Sequence, residues 1–142
     1  MEYRKSGNTI AVRIDYDEEV MEKLTELCKK ENIVSAAVSG IGATKLAELG
    51  LYNMETGEYK VTSYTGLYEV GSFMGNITQK DGEPYLHLHI TIGDPEKNEV
   101  HSGHLNKAVI GATSELFITI FDEKIGRKFD EKTGINIFEF EK

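Results

Sequence analysis

The run from Tyr85 to Ile92 is the part of this chain that most restricts its fold. It reads Tyr-Leu-His-Leu-His-Ile-Thr-Ile, with an apolar residue at every second position. Because successive side chains of a β-strand point to opposite faces, the run predicts a strand. Its aliphatic side chains would face a core, and His87 and His89 would lie together on the other face.

Short apolar runs separated by turn residues recur along the rest of the chain. A helix is predicted from Val20 to Lys30, because its apolar residues repeat at helical spacing and Asp15 or Asp17 could cap its start. A strand or a short helix fits His104–Gly111. The other predicted strands are Thr9–Ile14, Ile33–Val38, Leu46–Tyr52, Tyr59–Tyr64, Tyr68–Thr78, Leu116–Phe121 and Ile135–Phe140.

Strands at this spacing favour an antiparallel sheet over repeated βαβ units. The predicted class is α+β, a mostly antiparallel, twisted sheet with one main helix. A tight turn is expected at Gly40–Lys45, where glycines allow a close approach of backbone, and a solvated connection at Asp122–Lys132. No stretch has the composition of a linker, so we expect residues 1–142 to form a single domain.

Charge and composition exclude several classes of protein. The net charge is −8, and the sixteen basic residues are scattered, whereas nucleic-acid binders usually concentrate them in a patch. No apolar run is long enough to span a bilayer, so no membrane association is expected. A single cysteine excludes an internal disulfide and a CxxC site, which favours a reducing cytoplasm.

All four histidines fall within eighteen residues of one another. The segment Gly93–Asn98 carries a turn signal, so the chain could return and bring His104 beside His87 and His89. Three neutral imidazoles with an open fourth position suit zinc or another divalent transition metal. The alternative is that these histidines are simply polar residues on a solvent-facing strand.

Further candidates near this cluster are less well defined by their spacing. His101 would share a face with His104 only in a helical turn, which makes it a weak candidate for a fourth ligand. Metal-activated water would need a general base, for which Glu115 is the first candidate and Asp94 the second. Either carboxylate could equally be a surface residue or could orient an imidazole.

Five blocks in this order resemble the PPC (plants and prokaryotes conserved) domain over about residues 3–138. They are Ser39-Gly-Ile-Gly42, the strand Leu67–Ile77, the block Leu86–Ile92, Ser102-Gly-His-Leu105 and Thr113-Ser-Glu-Leu116. The resemblance implies an α+β fold and a homotrimer. In prokaryotic members the HxH and GGH blocks are the expected metal ligands, which correspond here to His87, His89 and His104.

Two functions remain open at this point. The first, favoured by the histidine cluster and the scattered basic residues, is a homotrimer that binds a divalent metal, zinc or zinc-like, through these three histidines, near a cleft that binds a small-molecule ligand or supports hydrolysis of an unknown substrate. The second is DNA binding, because prokaryotic members are often named as DNA-binding proteins. This chain departs from the plant members in having no AT-hook, and from the GGH block in having Ser102 as its first residue.

Overall fold

The computed structural model describes residues 1–140, which contain one helix and eight strands. The helix, α1, is Val20–Glu31. The strands are β1 (Glu2–Ser6), β2 (Thr9–Ile14), β3 (Ala36–Asn53), β4 (Glu58–Lys80), β5 (Glu83–Asp94), β6 (Glu99–Ile120), β7 (Gly126–Asp130) and β8 (Ile135–Glu139). The predicted domain of residues 1–142 extends two residues beyond this range.

Three strands are much longer than the sequence predicted, with 18 residues in β3, 23 in β4 and 22 in β6. The turn expected at Gly40–Lys45 is wrong, because these residues continue β3 through shifts of register. The close approach of backbone expected there is confirmed. A Cβ atom on Gly40 would lie 2.6 Å from the carbonyl oxygen of Glu115, so glycine lets β3 and β6 stay paired.

The sheet is antiparallel except where β7 meets β4, which confirms the predicted α+β class. Its strand order is β1-β2-β6-β3-β4-β7-β8, and β5 pairs with both β4 and β6. The strands β3, β4, β5 and β6 therefore close into a ring. Its inner side is filled by aliphatic and aromatic residues such as Leu49, Phe73, Ile90 and Leu105.

Helix α1 contributes its apolar stripe to the same core and contacts β5 and β6. Cys28 lies on that stripe and is buried. The predicted caps are wrong, because the side chain of Glu19 accepts the hydrogen bond from the backbone N–H of Glu22. Asp17 instead has a positive φ of 68° in the turn before the helix. Within residues 1–140, no helix is both long and apolar enough to cross a membrane.

The end of the described chain forms a hairpin that the sequence predicted only in part. β8 confirms the predicted closing strand to within one residue, but Asp122–Lys132 contains β7 rather than only a solvated connection. Gly126 of β7 pairs with Gln79, near the end of β4. This contact places the hairpin beside the strand pair β4–β5.

Candidate metal centre

Strand β5 positions two histidines on the outward face of the ring. Leu88, Ile90 and Ile92 are fully buried, so alternation along the strand turns His87 and His89 away from the core. The side chain of His87 is half-buried and that of His89 is exposed.

The β5–β6 turn brings a third histidine to the same place. Residues 95–98 reverse the chain, and the antiparallel register then sets His104 directly opposite His89. The imidazole centroids of the three rings lie 5.1 to 5.7 Å apart, and one nitrogen from each lies within 4.8 Å of the others. We call His87, His89 and His104 the triad.

The triad offers a donor set that fits a divalent transition ion. Tetrahedral zinc, with Zn–N bonds of about 2.0–2.1 Å, requires its nitrogen ligands to be about 3.3 Å apart. The three nitrogens already lie within 4.8 Å of one another, so an approach of about 1.5 Å by side-chain rotation would reach that separation. Three imidazoles leave a fourth position open, which is typical of zinc sites that bind an exchangeable ligand.

Burial favours the neutral form of two imidazoles of the triad, His87 and His104, and metal ligation requires that form. Burial lowers the pKa of His87 to about 4, and the neighbouring positive charges of His104, Arg127 and His89 act in the same direction. Burial, followed by the effect of His89, also lowers the pKa of His104. At neutral pH both rings therefore present a lone pair rather than a second proton.

A tyrosine borders the triad on the side of His104. The ring of Tyr59 meets that of His104 edge to face at 6.2 Å, and its hydroxyl donates to Oδ1 of Asn106. The phenol occupies the space above Gly50, where a Cβ atom would lie 1.8 Å from the hydroxyl oxygen. Gly50 thus makes room for Tyr59 beside the triad.

An arginine borders the triad on the side of His87. Asn76 pairs with His87 across β4 and β5, and its Oδ1 accepts a hydrogen bond of 2.5 Å from Arg127. The guanidinium lies 4.9 Å from the ring centroid of Tyr85, two residues before His87. Sequence reasoning missed Tyr59 and Arg127, because only the ring of strands and the terminal hairpin bring them to this face.

His101 lies outside the triad, although it is only three residues from His104. It pairs with the buried Ile92 and stacks on Tyr64, with ring centroids 4.1 Å apart. Its Nε2 is 3.5 Å from a carboxylate oxygen of Glu99. Its surroundings are those of a packed aromatic ring.

The two candidate general bases also lie apart from the triad of the same chain. Glu115 is eleven residues beyond His104 on β6, which corresponds to roughly 35 Å along an extended strand. It borders a surface depression with Ile41 and Glu69. Asp94 accepts from the backbone N–H groups of Glu96 and Lys97, which fixes the β5–β6 turn.

Comparison with protein families finds one match, to the Plants and Prokaryotes Conserved domain, over residues 1–122. No curated protein sequence matches the chain. The matched range includes all three residues of the triad and ends before β7.

Several solved structures are similar over nearly their whole length. A protein from Bacteroides thetaiotaomicron named as a putative DNA binding protein is 32% identical, with a TM-score of 0.94, and 99% of this chain and 98% of that one are covered. A metal-containing protein from Archaeoglobus fulgidus is 30% identical, with a TM-score of 0.87 and coverage of 98% and 97%. A plant- and prokaryote-conserved protein from Pyrococcus horikoshii is 35% identical, with a TM-score of 0.84 and coverage of 99% and 96%.

Proposed function

The chain belongs to the Plants and Prokaryotes Conserved domain family, and we propose that it binds a divalent metal ion, zinc or zinc-like, on His87, His89 and His104. The observation that carries the proposal is the convergence of three imidazole nitrogens within 4.8 Å on one face of the sheet. A second support is that a similar protein from Archaeoglobus fulgidus is described as metal-containing.

The proposed function is to hold a small ligand at this ion. When bound, a zinc ion with three histidine ligands supplies a Lewis acid that polarises an oxygen atom of its fourth ligand. In the chain itself, the triad would hold the ion on strands β5 and β6, and Tyr59 and Asn106 border the site. The buried, unpaired Cys28 is consistent with the cytoplasmic location that we propose.

We also propose that the protein assembles as a homotrimer through the outward face of the ring. Ile41, Met74 and Phe117 are exposed by 58, 55 and 58% on this face, and such an apolar surface favours burial against other copies. Met74 pairs with His89, so the surface continues to the triad. Glu115 lies on the same face, and only a neighbouring copy could bring it to a triad as a general base. Light scattering measures the molar mass in solution, which should be three times that of one chain.

The decisive test of metal binding is elemental analysis of the purified protein. We expect about one zinc or similar ion per chain in the wild type and none in the triple variant His87→Ala, His89→Ala, His104→Ala. The variant His101→Ala is the matched control, since it removes an imidazole from the same strand but not from the triad. Equal metal content in the wild type and the triple variant would refute the proposal.

DNA binding is the second candidate function, favoured by the name of the similar Bacteroides thetaiotaomicron protein. The net charge of −8 weighs against it, because affinity for DNA comes largely from neutralising phosphates. Titration of a labelled duplex at two salt concentrations distinguishes the candidates. Salt-sensitive binding near physiological ionic strength would support DNA binding, and no binding in dilute salt would exclude it.

A further inference from the structure

Arg127 differs from the other half-buried basic side chains in residues 1–140. Lys23, Lys45 and Lys80 are also half-buried, and each forms an ion pair with a carboxylate. Arg127 has no carboxylate within 4.0 Å in this range, although the sequence contains 24 acidic residues. A half-buried cation without a counter-ion carries a desolvation cost, which an anionic ligand would offset.

Neutral groups hold the guanidinium of Arg127 in one orientation. Its Nε donates to Oγ1 of Thr78 at 2.9 Å, and its two terminal nitrogens donate to Oδ1 of Asn76 at 2.5 Å and to the carbonyl of Asn136 at 3.2 Å. It also lies against the rings of Tyr85 and Phe138, at 4.9 and 4.5 Å. These contacts use three of its five N–H groups and leave two for another acceptor.

The position of Arg127 connects it to the triad. Asn76, which accepts from the guanidinium, is the cross-strand partner of His87. Tyr85 and His87 are two residues apart on β5, so they share one face, about 7 Å apart along the strand. The guanidinium and the nearest imidazole are therefore neighbours on the outward face.

The local charge at this surface favours an anionic ligand. Three neutral imidazoles would leave the charge of a divalent ion uncompensated, and Arg127 adds one more positive charge. Within residues 1–140, no carboxylate joins the triad. An anionic ligand would neutralise both centres.

We propose that Arg127 binds the carboxylate of a small organic acid whose remaining oxygen atoms face the triad. This inference rests on the proposed function, since it names the class of ligand for the same site. The fork of a guanidinium matches the two oxygens of a carboxylate. The rings of Tyr85 and Phe138 offer an apolar border to the carbon atoms of an organic acid, which inorganic phosphate would not use.

The test is calorimetric titration of the zinc-loaded protein with three probes. Lactate supplies a carboxylate and a hydroxyl, lactamide has the same shape without the charge, and inorganic phosphate is the competing anion. We expect lactate to bind at least about 10-fold more tightly than either of the others, since hydrogen bonds to a charged group carry the difference.

Matched variants assign the effect to Arg127. Arg127→Gln should weaken lactate binding by about 10- to 100-fold and leave the zinc content unchanged. Lys128→Gln removes the same charge from the adjacent exposed residue and should leave lactate affinity within twofold, roughly the ordinary scatter of a surface change. Asn76→Asp supplies an isosteric counter-ion to Arg127 and should weaken lactate binding even if Arg127→Gln fails to fold.

The outcomes separate this inference from the proposed function. Zinc bound at the triad with lactate and lactamide equal in affinity would overturn the carboxylate site alone. Tighter binding of phosphate, lost in Arg127→Gln, would also overturn the carboxylate assignment. A wild-type protein that binds no zinc would refute the proposed function, whatever its affinity for lactate.

Discussion

His101 and His104 lie on one strand, three residues apart, and belong to two different regions of the molecule. His104 faces outward with His87 and His89, and within residues 1–140 none of these three imidazoles has a hydrogen-bond partner. His101 lies against Tyr64 and Tyr68, with Glu99 in reach. An odd spacing on a strand thus separates two identical side chains into a candidate ligand and a packed ring.

The contacts of each imidazole, rather than its residue type, distinguish the two regions. The ring of His101 packs against the rings of Tyr64 and Tyr68. One nitrogen from each ring of the triad, in contrast, lies within 4.8 Å of the others. Metal affinity is the property in which the two regions should differ most.

Single substitutions in the triad should have the largest effect. We expect His89→Ala to weaken zinc affinity by more than about 100-fold, because the loss of a ligand should exceed the 10- to 100-fold cost of losing a residue that only orients one. His101→Ala should leave the affinity within about threefold, a small effect on the same scale. Competition with a chromophoric chelator measures both values. Comparable losses in the two variants would remove the distinction between the regions.

Two glycines of β4 test how the core supports the triad. A Cβ atom on Gly75 would lie 2.1 Å from the carbonyl oxygen of His87, whereas on Gly71 the nearest atom, the carbonyl oxygen of Thr91, would be 4.0 Å away. Gly75→Ala should therefore push β5 aside and cost about 3 kcal/mol of unfolding free energy, at the upper end for overpacking.

Gly71→Ala is the control and should change the unfolding free energy by less than about 0.5 kcal/mol. Urea unfolding measures both variants. The zinc affinity of Gly75→Ala should fall as well, because the backbone that carries His87 moves. A stable Gly75→Ala protein with normal zinc affinity would show that the close pairing of β4 and β5 at Gly75 does not position the triad.

The strands near the triad were predictable because their pattern is local. The alternation of apolar residues over Tyr85–Ile92 predicts which side chains face the core. The turn residues after Gly93 predict that the chain reverses there. The register that places His104 opposite His89 is not local. It depends on the whole length of β6, whose central residues fit a strand and a short helix equally well.

Other features of the fold could not be predicted from local sequence patterns. Gly40 and Gly66 resemble turn residues, yet both lie inside long strands, because the neighbouring backbone at Gly40 and the φ of 121° at Gly66 require glycine. Strand β1 is polar and mostly exposed, so it has no apolar alternation. Arg127 meets the triad through the pairing of Gly126 with Gln79, which is a tertiary contact.

The pH dependence of stability tests the burial of the triad in the metal-free protein. The pKa of His87 is about 4 in the fold and about 6.5 in the unfolded chain. Between these values the unfolded state binds more protons, so stability should fall as the pH is lowered from about 6.5 to 4 and should lose nothing more from this group below that range.

His104 shifts in the same direction and should add to the effect. Solvent screening at these half-exposed rings should keep the change well below that of a fully buried histidine. Urea unfolding of the chelator-treated protein at several pH values measures the slope. His87→Gln should flatten it, and an unchanged slope in that variant would show that His87 is not the group responsible.

The smallest effect should come from the stacked ring of His101. His101→Ala removes the contact with Tyr64 and should cost about 0.5–1.5 kcal/mol of unfolding free energy, the range for aromatic pairs. His101→Phe keeps a ring in that place and should recover the stability to within about 0.5 kcal/mol. Both variants should retain the wild-type zinc content, since neither changes the triad. If the phenylalanine variant keeps its stability but loses zinc, then His101 is a ligand, and the division between the two regions of β6 is wrong.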